Sequence, residues 1–236
     1  MLKDRVVAIT GAAGSLGPSV VRAFHAEGAI LALAGRDDRK LTSLLDTVGV
    51  PKGRGLATGV DLGDENAARD WADLVLKTFA RLNVVIHLVG GYRGGGSISD
   101  IATADWDFLH GVLVKTTLNV VRAFARPLAA GGWGRFLSVT STRAQAPSAK
   151  SALYAAAKSA SDAIALALAD ELRGTGATAN LIVVDSIDAP EGRSAAPKKA
   201  YGKSTPAEEI AAAMVFLCSD SAATINGVRF PLVGHG

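Results

Sequence analysis

The stretch that decides the fold reads TGAAGSLG and runs from Thr10 to Gly17. It follows the short apolar, β-branched run Val6–Thr10, which is typical of a buried strand. After it, apolar residues recur at helical spacing as far as Phe24. The stretch therefore predicts a strand, a glycine turn and a helix in direct succession.

Each glycine of this turn has a physical role in binding a dinucleotide. Gly11 permits the tight turn, Gly14 lets the backbone approach a pyrophosphate, and Gly17 lets helix and strand pack closely. A plain strand-to-helix turn also uses glycines, but the position between a first strand and a first helix favours a phosphate site at the helix start. The cofactor-binding residues predicted for the turn are Gly11, Ala13, Gly14, Ser15, Leu16 and Gly17.

Strands and helices alternate along the rest of the chain. The predicted strands are Val6–Thr10, Ala29–Ala34, Gly55–Val60, Val84–Val89, Arg135–Thr140, Thr178–Val184 and Gly227–Val233. The later helices are predicted at Asp38–Val48, Asp64–Ala80, Ala104–Ala130 with Thr103 as cap, Ser151–Arg173 and Pro206–Ser219, and Asp185–Thr205 is predicted as a long loop. Strict alternation predicts a doubly wound α/β domain over residues 1–236, with a mainly parallel seven-stranded sheet and helices on both faces.

Composition excludes several classes of protein. Lys and Arg are scattered and the formal net charge is +3, so we expect no nucleic-acid partner. No apolar run reaches membrane-spanning length, and Met1–Arg5 leads into a strand without a signal region, which predicts a cytoplasmic protein that does not enter a membrane. The single cysteine, Cys218, lies in an apolar run and is predicted to be a buried, inert thiol. No His, Cys or carboxylate cluster has metal-ligand spacing, so no metal is expected.

The end of the second strand indicates which dinucleotide binds. An NAD-binding protein usually has a carboxylate there for the ribose 2′-hydroxyl, whereas this chain has Gly35 followed by Arg36. A guanidinium suits a 2′-phosphate in charge and geometry, which favours NADP(H), with NAD(H) as the second choice. Asp37 and Asp38 lie nearby, and a carboxylate at this point would favour NAD(H) instead. Asp61-Leu62, at the end of the third strand, is the predicted adenine-contacting pair.

Three polar residues later in the chain complete a known pattern. Tyr154 and Lys158 stand four residues apart on a predicted helix and so share one face, and Ser141 precedes Tyr154 by thirteen residues. Together with the glycine turn, they resemble the short-chain dehydrogenase/reductase family over essentially the whole chain. The resemblance implies a Rossmann fold and an NAD(P)-dependent enzyme acting on a small molecule.

The resemblance also implies roles for these residues. Tyr154 would protonate a carbonyl oxygen as hydride arrives, and Ser141 would hold that oxygen. Lys158 would bind the nicotinamide ribose and lower the phenol pKa from its ordinary value of about 10. Tyr154 and Lys158 therefore count among the cofactor-binding residues too, with Val89 and Gly90 at the end of the fourth strand. A homotetramer, or failing that a homodimer, is expected from the helices Ala104–Ala130 and Ser151–Arg173.

The chain departs from the family pattern at several positions. His87–Gly90 replaces Asn-Asn-Ala-Gly, Leu113 replaces a relay asparagine, Val184-Asp185 replaces Pro-Gly, Val233–Gly236 replaces Asp-Gly-Gly, and Ser15 replaces a glycine. We expect His87 to be a core histidine bonded to backbone; the alternative is that it borders the adenosine or stabilises the centre of the sheet. Leucine can neither donate nor accept a hydrogen bond, so we expect a regular helix through Leu113 with that side chain packed inward. Proton supply would then run through the ribose hydroxyl and Lys158 to water held by backbone carbonyls, or through the hydroxyl of Thr116 or Thr117. The alternative is slow proton supply, tolerated because the substrate, such as a conjugated ring, needs little acid catalysis.

Some departures resemble an atypical branch of the family, the dihydropteridine reductases. Val89–Gly95, Asp185–Pro190 and the compact glycine turn are similar to theirs, and that branch lacks the asparagine replaced by Leu113. Ser141 matches the ordinary family instead, and Arg36 replaces the aspartate typical of an NADH enzyme. The resemblance thus indicates the shape of the site without assigning a substrate.

Three functions remain open from the sequence. The first is an NADPH-dependent reductase of ketones or aldehydes, the second a reductase of a quinonoid pterin or quinone, and the third a catalytically decayed NADP-binding sensor or scaffold. The retained Ser141, Tyr154 and Lys158 disfavour the third. The predicted substrate pocket is formed by three loops, from which Tyr92, Arg93 and Gln145 are candidate contacts: Gly91–Ser97, Thr142–Ser151 and Asp185–Thr205.

Overall fold

The computed structural model of the chain describes residues 1–190 and 204–233. In these residues the strands are β1 Val6–Thr10, β2 Ile30–Gly35, β3 Gly55–Gly59, β4 Val84–His87, β5 Gly134–Ser141, β6 Ala177–Val184, β7 Ser186–Asp188, β8 Ser204–Pro206 and β9 Arg229–Pro231. Seven of them form one parallel sheet in the order β3-β2-β1-β4-β5-β6-β9. This is the Rossmann fold that the strand and helix order predicted.

Helices cover both faces of this sheet. They are α1 Gly17–Ala26, α2 Asp38–Val48, α3 Glu65–Phe79, α4 Thr103–Leu109, α5 Thr116–Ala130, α6 Thr142–Gln145, α7 Ala152–Glu171 and α8 Ala207–Leu217, with a π-helical segment at His110–Lys115. In β1, Val7 and Ile9 face a core that contains α1, α2 and α8, whereas Val6 and Ala8 face a core that contains α3, α5 and α7. Alternate residues of a strand point to opposite faces, so this doubly apolar strand requires a layer on each side.

The helix expected over Ala104–Ala130 is where the structure departs most from the sequence-based expectation. The expectation of a regular helix through Leu113 is wrong, because α4 gives way to the π-helical segment at His110–Lys115 before α5 begins. The hydroxyls of Thr116 and Thr117 donate to the carbonyls of Val112 and Leu113 at 2.8 and 2.7 Å. These bonds give partners to carbonyls of the wider turn. The Leu113 side chain is 1% exposed, so its inward packing is confirmed.

Several predicted boundaries also shift. Thr103 is the first residue of α4 rather than its cap, because Ala102 occupies the N-cap position without a side-chain bond. The predicted loop Asp185–Thr205 contains β7 and the start of β8, which pair in parallel with Ser186 opposite Ser204. Residues 191–203 of that loop lie outside the described residues, as do residues 234–236. β4 ends at His87, two residues before the predicted end.

Within residues 1–190 and 204–233, one helix, α7, is long and apolar enough to cross a membrane by length and composition, which for a single helix is weak evidence. In the structure α7 packs against β5, β6 and α5. Its apolar residues are thereby explained as part of the core between sheet and helices.

Candidate active site

The glycine turn sits where the strand order reverses. β1 lies between β2 and β4, with Thr10 opposite both Ala34 and His87. Gly11 has a φ of +68°, and a Cβ there would lie 2.8 Å from the backbone nitrogen of Val89. A Cβ on Gly17 would lie 1.8 Å from the carbonyl oxygen of Ala12. Both positions need glycine, and at Gly11 the turn is packed against the backbone of Leu88 and Val89, which follow β4.

The turn presents free donors for an anion. The backbone N–H groups of Gly14 and Gly17 are bonded to the carbonyls of Gly11 and Gly14. The N–H groups of Ala13, Ser15 and Leu16 have no hydrogen-bond partner in the part of the chain that the structure describes. They precede the ten residues of α1, whose dipole adds positive potential at this end. This donor set fits the diphosphate of a dinucleotide.

Arg36 and Asp37 directly follow β2 and have different surroundings. Asp37 caps α2, since its Oδ1 accepts from the N–H groups of Arg39 and Lys40 at 3.1 and 3.2 Å. Arg36 is exposed, and its side chain has no partner within residues 1–190 and 204–233. The arrangement suits a 2′-phosphate, because the nearby carboxylate already has donors and the guanidinium has no acceptor.

The two residues predicted to contact adenine, Asp61 and Leu62, follow β3; the first is exposed and the second is buried. The Asp61 carboxylate is exposed and accepts from the N–H of Gly63 at 2.9 Å. Leu62 is buried, and its carbonyl accepts from Nδ2 of Asn119 in α5 at 2.9 Å. The sequence analysis missed Asn119, although a buried asparagine on the apolar face of a helix was a signal that could have found it.

Ser141, Tyr154 and Lys158 come together at the carboxyl end of β5. Ser141 is the last residue of β5, and its Oγ accepts from the N–H of Arg143 as the cap of α6. That bond uses a lone pair of Oγ, so the hydroxyl can also donate its proton, and Tyr154 is its side-chain neighbour in the site. Tyr154 and Lys158 lie one turn apart on α7, and Lys158 Nζ donates to the carbonyl of Val139 at 2.9 Å.

Burial governs the electrostatics of this cluster. It raises the pKa of Tyr154, while the Ser141 hydroxyl and the Arg143 guanidinium lower that pKa by smaller amounts. The net direction is opposite to the lowering expected from Lys158, because desolvation of the phenolate dominates. Burial also lowers the pKa of Lys158 to about 8, against the opposing effect of Asp162.

Asp162 extends the polar face of α7 into the core. It lies one turn beyond Lys158, is 1% exposed, and pairs with Arg229 of β9 at 3.3 Å. The Thr140 hydroxyl, buried and otherwise without a partner among the described residues, faces the same carboxylate. The sequence analysis missed this pair, although Asp162 continues the spacing of Tyr154 and Lys158.

His87 joins three elements through side chains. Its Nδ1 lies 2.8 Å from Thr10 Oγ1 and its Nε2 lies 3.1 Å from Thr117 Oγ1. Since the Thr117 proton is donated to the Leu113 carbonyl, Nε2 must carry a hydrogen and Nδ1 must accept from Thr10. The expectation of backbone partners is thus corrected: both partners are hydroxyls. Burial lowers the pKa of His87 to about 3, which keeps it neutral.

The substrate side of the site lies between the glycine-rich segment after β4 and the start of α7. The ring of Tyr92, 63% exposed, stands edge-to-face against Tyr154 with centroids 5.1 Å apart. The Arg93 guanidinium lies over the Phe108 ring. An adjoining crevice of about 360 Å³ includes Arg93, Lys150 and Leu153 in its lining. Gln145 is exposed in α6, and no group of three His, Cys or acidic residues suited to a metal occurs in the described ranges.

Known proteins resemble this chain along almost its whole length. The family model described as enoyl-(acyl carrier protein) reductase matches residues 11–232. Meso-2,3-butanediol dehydrogenase of Serratia marcescens is 29% identical, covering 98% of this chain and 94% of its own. D-threitol dehydrogenase of Mycolicibacterium smegmatis is 26% identical, covering 99% and 93%.

A solved structure shows the likeness of fold. The 3-ketoacyl-(acyl-carrier-protein) reductase from Brucella melitensis, complexed with NADH, superposes with a TM-score of 0.87 over 98% of both chains at 23% identity. This chain therefore belongs to the short-chain dehydrogenase/reductase family, as its motifs predicted, and is an oxidoreductase with the NAD(P)(H)-binding Rossmann fold of that family.

Proposed function

We propose that this oxidoreductase reduces a ketone or aldehyde with NADPH, and that Tyr154 gives the proton to the carbonyl oxygen. The observation that carries the proposal is the meeting of Ser141, Tyr154 and Lys158 at the carboxyl end of β5, beside the glycine turn. The products are an alcohol and NADP⁺, so one hydride and one proton are transferred. The relatives named for butanediol and threitol support a small alcohol or carbonyl compound as substrate.

Each residue contributes one step to this reaction. The Ser141 hydroxyl would donate to the carbonyl oxygen, and the Tyr154 phenol would protonate that oxygen as negative charge develops there. NADPH, when bound, supplies the hydride. The Lys158 ammonium would hold the ribose hydroxyls while keeping its bond to Val139. A raised phenol pKa keeps Tyr154 protonated before the reaction, which suits a proton donor.

The preference for NADP(H) over NAD(H) is supported by the end of β2. Among the described residues the Arg36 guanidinium has no partner, while Asp37, the next residue in sequence, is engaged in capping α2. The remaining cofactor-binding residues proposed are those of the glycine turn, Asp61, Leu62, Val89 and Gly90. We propose that the reaction takes place in the cytoplasm. The chain has a single cysteine and so has no internal disulfide, which fits the reducing conditions there.

A second candidate reaction is reduction of a planar conjugated ring, such as a quinonoid pterin or a quinone. The exposed Tyr92 ring beside Tyr154 favours it, because an aromatic wall next to the proton donor would stack on a flat substrate. A substrate of this kind would lose affinity in Tyr92→Ala, whereas a small aliphatic carbonyl would lose little.

The decisive experiment follows NADPH oxidation with ketone, acyl-thioester, quinone and pterin substrates, in wild type and Tyr154→Phe. We expect Tyr154→Phe to abolish turnover and leave NADPH affinity nearly unchanged, since only a hydroxyl is removed. Lys158→Ala should impair both, because Lys158 also binds ribose. Near-normal turnover by Tyr154→Phe on a verified substrate would show that the proton comes from elsewhere.

For assembly we propose a homotetramer, with a homodimer as the second choice. Ala156, Ala163 and Ala167 of α7 are exposed at helical spacing and form a small apolar face that a second copy would cover. Light scattering at micromolar concentration tests this proposal, and a monomer there would overturn it.

A further inference from the structure

We propose that Asp162 is a positioning residue of this site: its buried carboxylate, held by Arg229, keeps Lys158 in the ammonium form. The consequence for catalysis rests on the proposed function, whereas the effect on Lys158 itself does not. The residues that bond the Asp162 carboxylate, Arg229 and Thr140, are not among the proposed catalytic residues, so its effect on the site is exerted through Lys158.

Lys158 and Asp162 share one buried face of α7 without forming a direct ion pair. Tyr154, Lys158 and Asp162 follow one another at intervals of four residues along α7, so they lie on one face of the helix. Lys158 is 8% exposed and Asp162 is 1% exposed. With so little water between them, their attraction is screened far less than that of a surface pair.

A buried carboxylate needs partners of its own, and two other elements supply them. Arg229 of β9 bonds Oδ2 of Asp162 through Nε at 3.3 Å, and the Thr140 hydroxyl of β5 faces the same group. Burial raises the pKa of Asp162, while Arg229, Thr140 and Lys158 lower it. The Arg229 side chain is 38% exposed, so its guanidinium stays partly hydrated while it pairs with the buried carboxylate.

The other groups around Lys158 do not replace Asp162. His87 of β4 also interacts with Lys158 but is neutral, because its pKa is about 3. Arg143 acts on Tyr154 and carries a positive charge, as Lys158 does. Among the described residues, Asp162 is the carboxylate that acts on Lys158 and opposes the effect of burial.

The sign of the effect follows from these charges. Without the carboxylate the ammonium loses a stabilising neighbour, so the pKa of Lys158 must fall below its value of about 8. Asp162 also raises the pKa of Tyr154, so its removal lowers the phenol pKa as well. Both changes move the alkaline loss of reductase activity toward lower pH.

The test measures Lys158 directly in the free protein. The ¹³Cε resonance of Lys158, assigned by its disappearance in Lys158→Arg, is followed against pH in lysine-labelled protein. In Asp162→Asn we expect its midpoint to fall by about one pH unit or more, the effect of losing one close opposite charge. Asp162→Glu should restore most of the shift. Asp170→Asn, which removes an exposed carboxylate of the same helix, should leave the midpoint unchanged.

Two further variants and one kinetic measurement keep the outcome clear. If Asp162→Asn does not fold, Asp162→Asn/Arg229→Gln removes both partners of the ion pair and should show a fall in the same direction, whereas Arg229→Lys should keep the wild-type midpoint. An unchanged Lys158 midpoint in the folded single or double variant would overturn the proposal. In kinetics, the alkaline limb of kcat/KM should move with the midpoint; a uniform loss at all pH values would indicate a structural role only. Inactivity of wild type on every substrate would count against the proposed function and leave the Lys158 midpoint to decide this inference.

Discussion

At the scale of single residues, Arg36 and Asp37 show how neighbours in sequence receive different tasks. Both follow β2 and both are exposed. Asp37 is committed to the first turn of α2, where two backbone N–H groups need an acceptor. Within the described residues the Arg36 guanidinium has no hydrogen-bond partner, which leaves it available for a ligand.

We therefore expect Arg36→Ala to weaken NADPH much more than NADH. Losing a charge-assisted bond to the 2′-phosphate should cost about 1.5–3 kcal/mol, or roughly 10- to 150-fold in Kd. Titration of protein fluorescence with each cofactor measures both affinities. Arg173→Ala, which removes an exposed arginine just beyond α7, is the matched control and should change neither affinity. An equal loss for both cofactors, or a wild-type preference for NADH, would contradict the assignment of Arg36.

At the scale of elements, the π-helical segment decides how α4 and α5 meet the sheet. In this wider turn the Leu113 side chain points inward, and the Leu113 carbonyl accepts from the Thr117 hydroxyl. The oxygen of that hydroxyl also accepts from His87 Nε2. The hydroxyl of Thr117 thus ties α5 to β4 and, through His87 and Thr10, to β1. Thr116 makes only the bond to Val112 within its own helix.

This difference predicts unequal costs for two matching substitutions. Thr117→Val should lower the free energy of unfolding by about 1–3 kcal/mol, because it leaves the His87 Nε2–H buried without an acceptor. Thr116→Val should cost less, since it removes one bond within the helix and leaves no buried donor unpaired. Urea unfolding of both variants measures the two costs. Equal losses would show that the connection through His87 contributes nothing to stability.

At the scale of the whole molecule, His87 couples folding to pH. Its pKa is about 3 in the folded protein and close to 6.5 when unfolded, so between these values the unfolded chain binds the additional proton. Stability from the neutral histidine is complete above pH 6.5 and is lost as pH falls toward 3. His87 lies where β1, β4 and α5 meet, so its protonation destabilises the contacts at the centre of the fold.

We expect the unfolding free energy of wild type to fall relative to His87→Asn as pH drops from 6.5 to 5. The relative slope should approach about 1.4 kcal/mol per pH unit, the value for one proton. Denaturant unfolding across this range measures it, above the pH at which most carboxylates titrate. His110→Asn, which replaces an exposed histidine, should run parallel to wild type. Parallel curves for His87→Asn as well would mean that His87 is not held neutral by the fold.

Local pattern was enough to predict the alternation of strands and helices, the glycine turn and the placing of Tyr154 and Lys158 on one helix face. Each of these depends on periodicity or on residues close in the chain, and a parallel sheet then brings strand ends to one edge. The regular helix through Leu113 was mispredicted because a π turn depends on packing and on carbonyl partners, which side-chain periodicity does not report.

What the sequence by itself determined, then, is the Rossmann order of elements and the positions of Ser141, Tyr154 and Lys158 along them. Only the tertiary structure decided the partners of buried polar groups. Asp162 meets Arg229 across 67 positions and His87 meets Thr10 across 77. Such pairs depend on the register between distant elements, and a buried charge or imidazole acquires its protonation state from whatever that register places beside it.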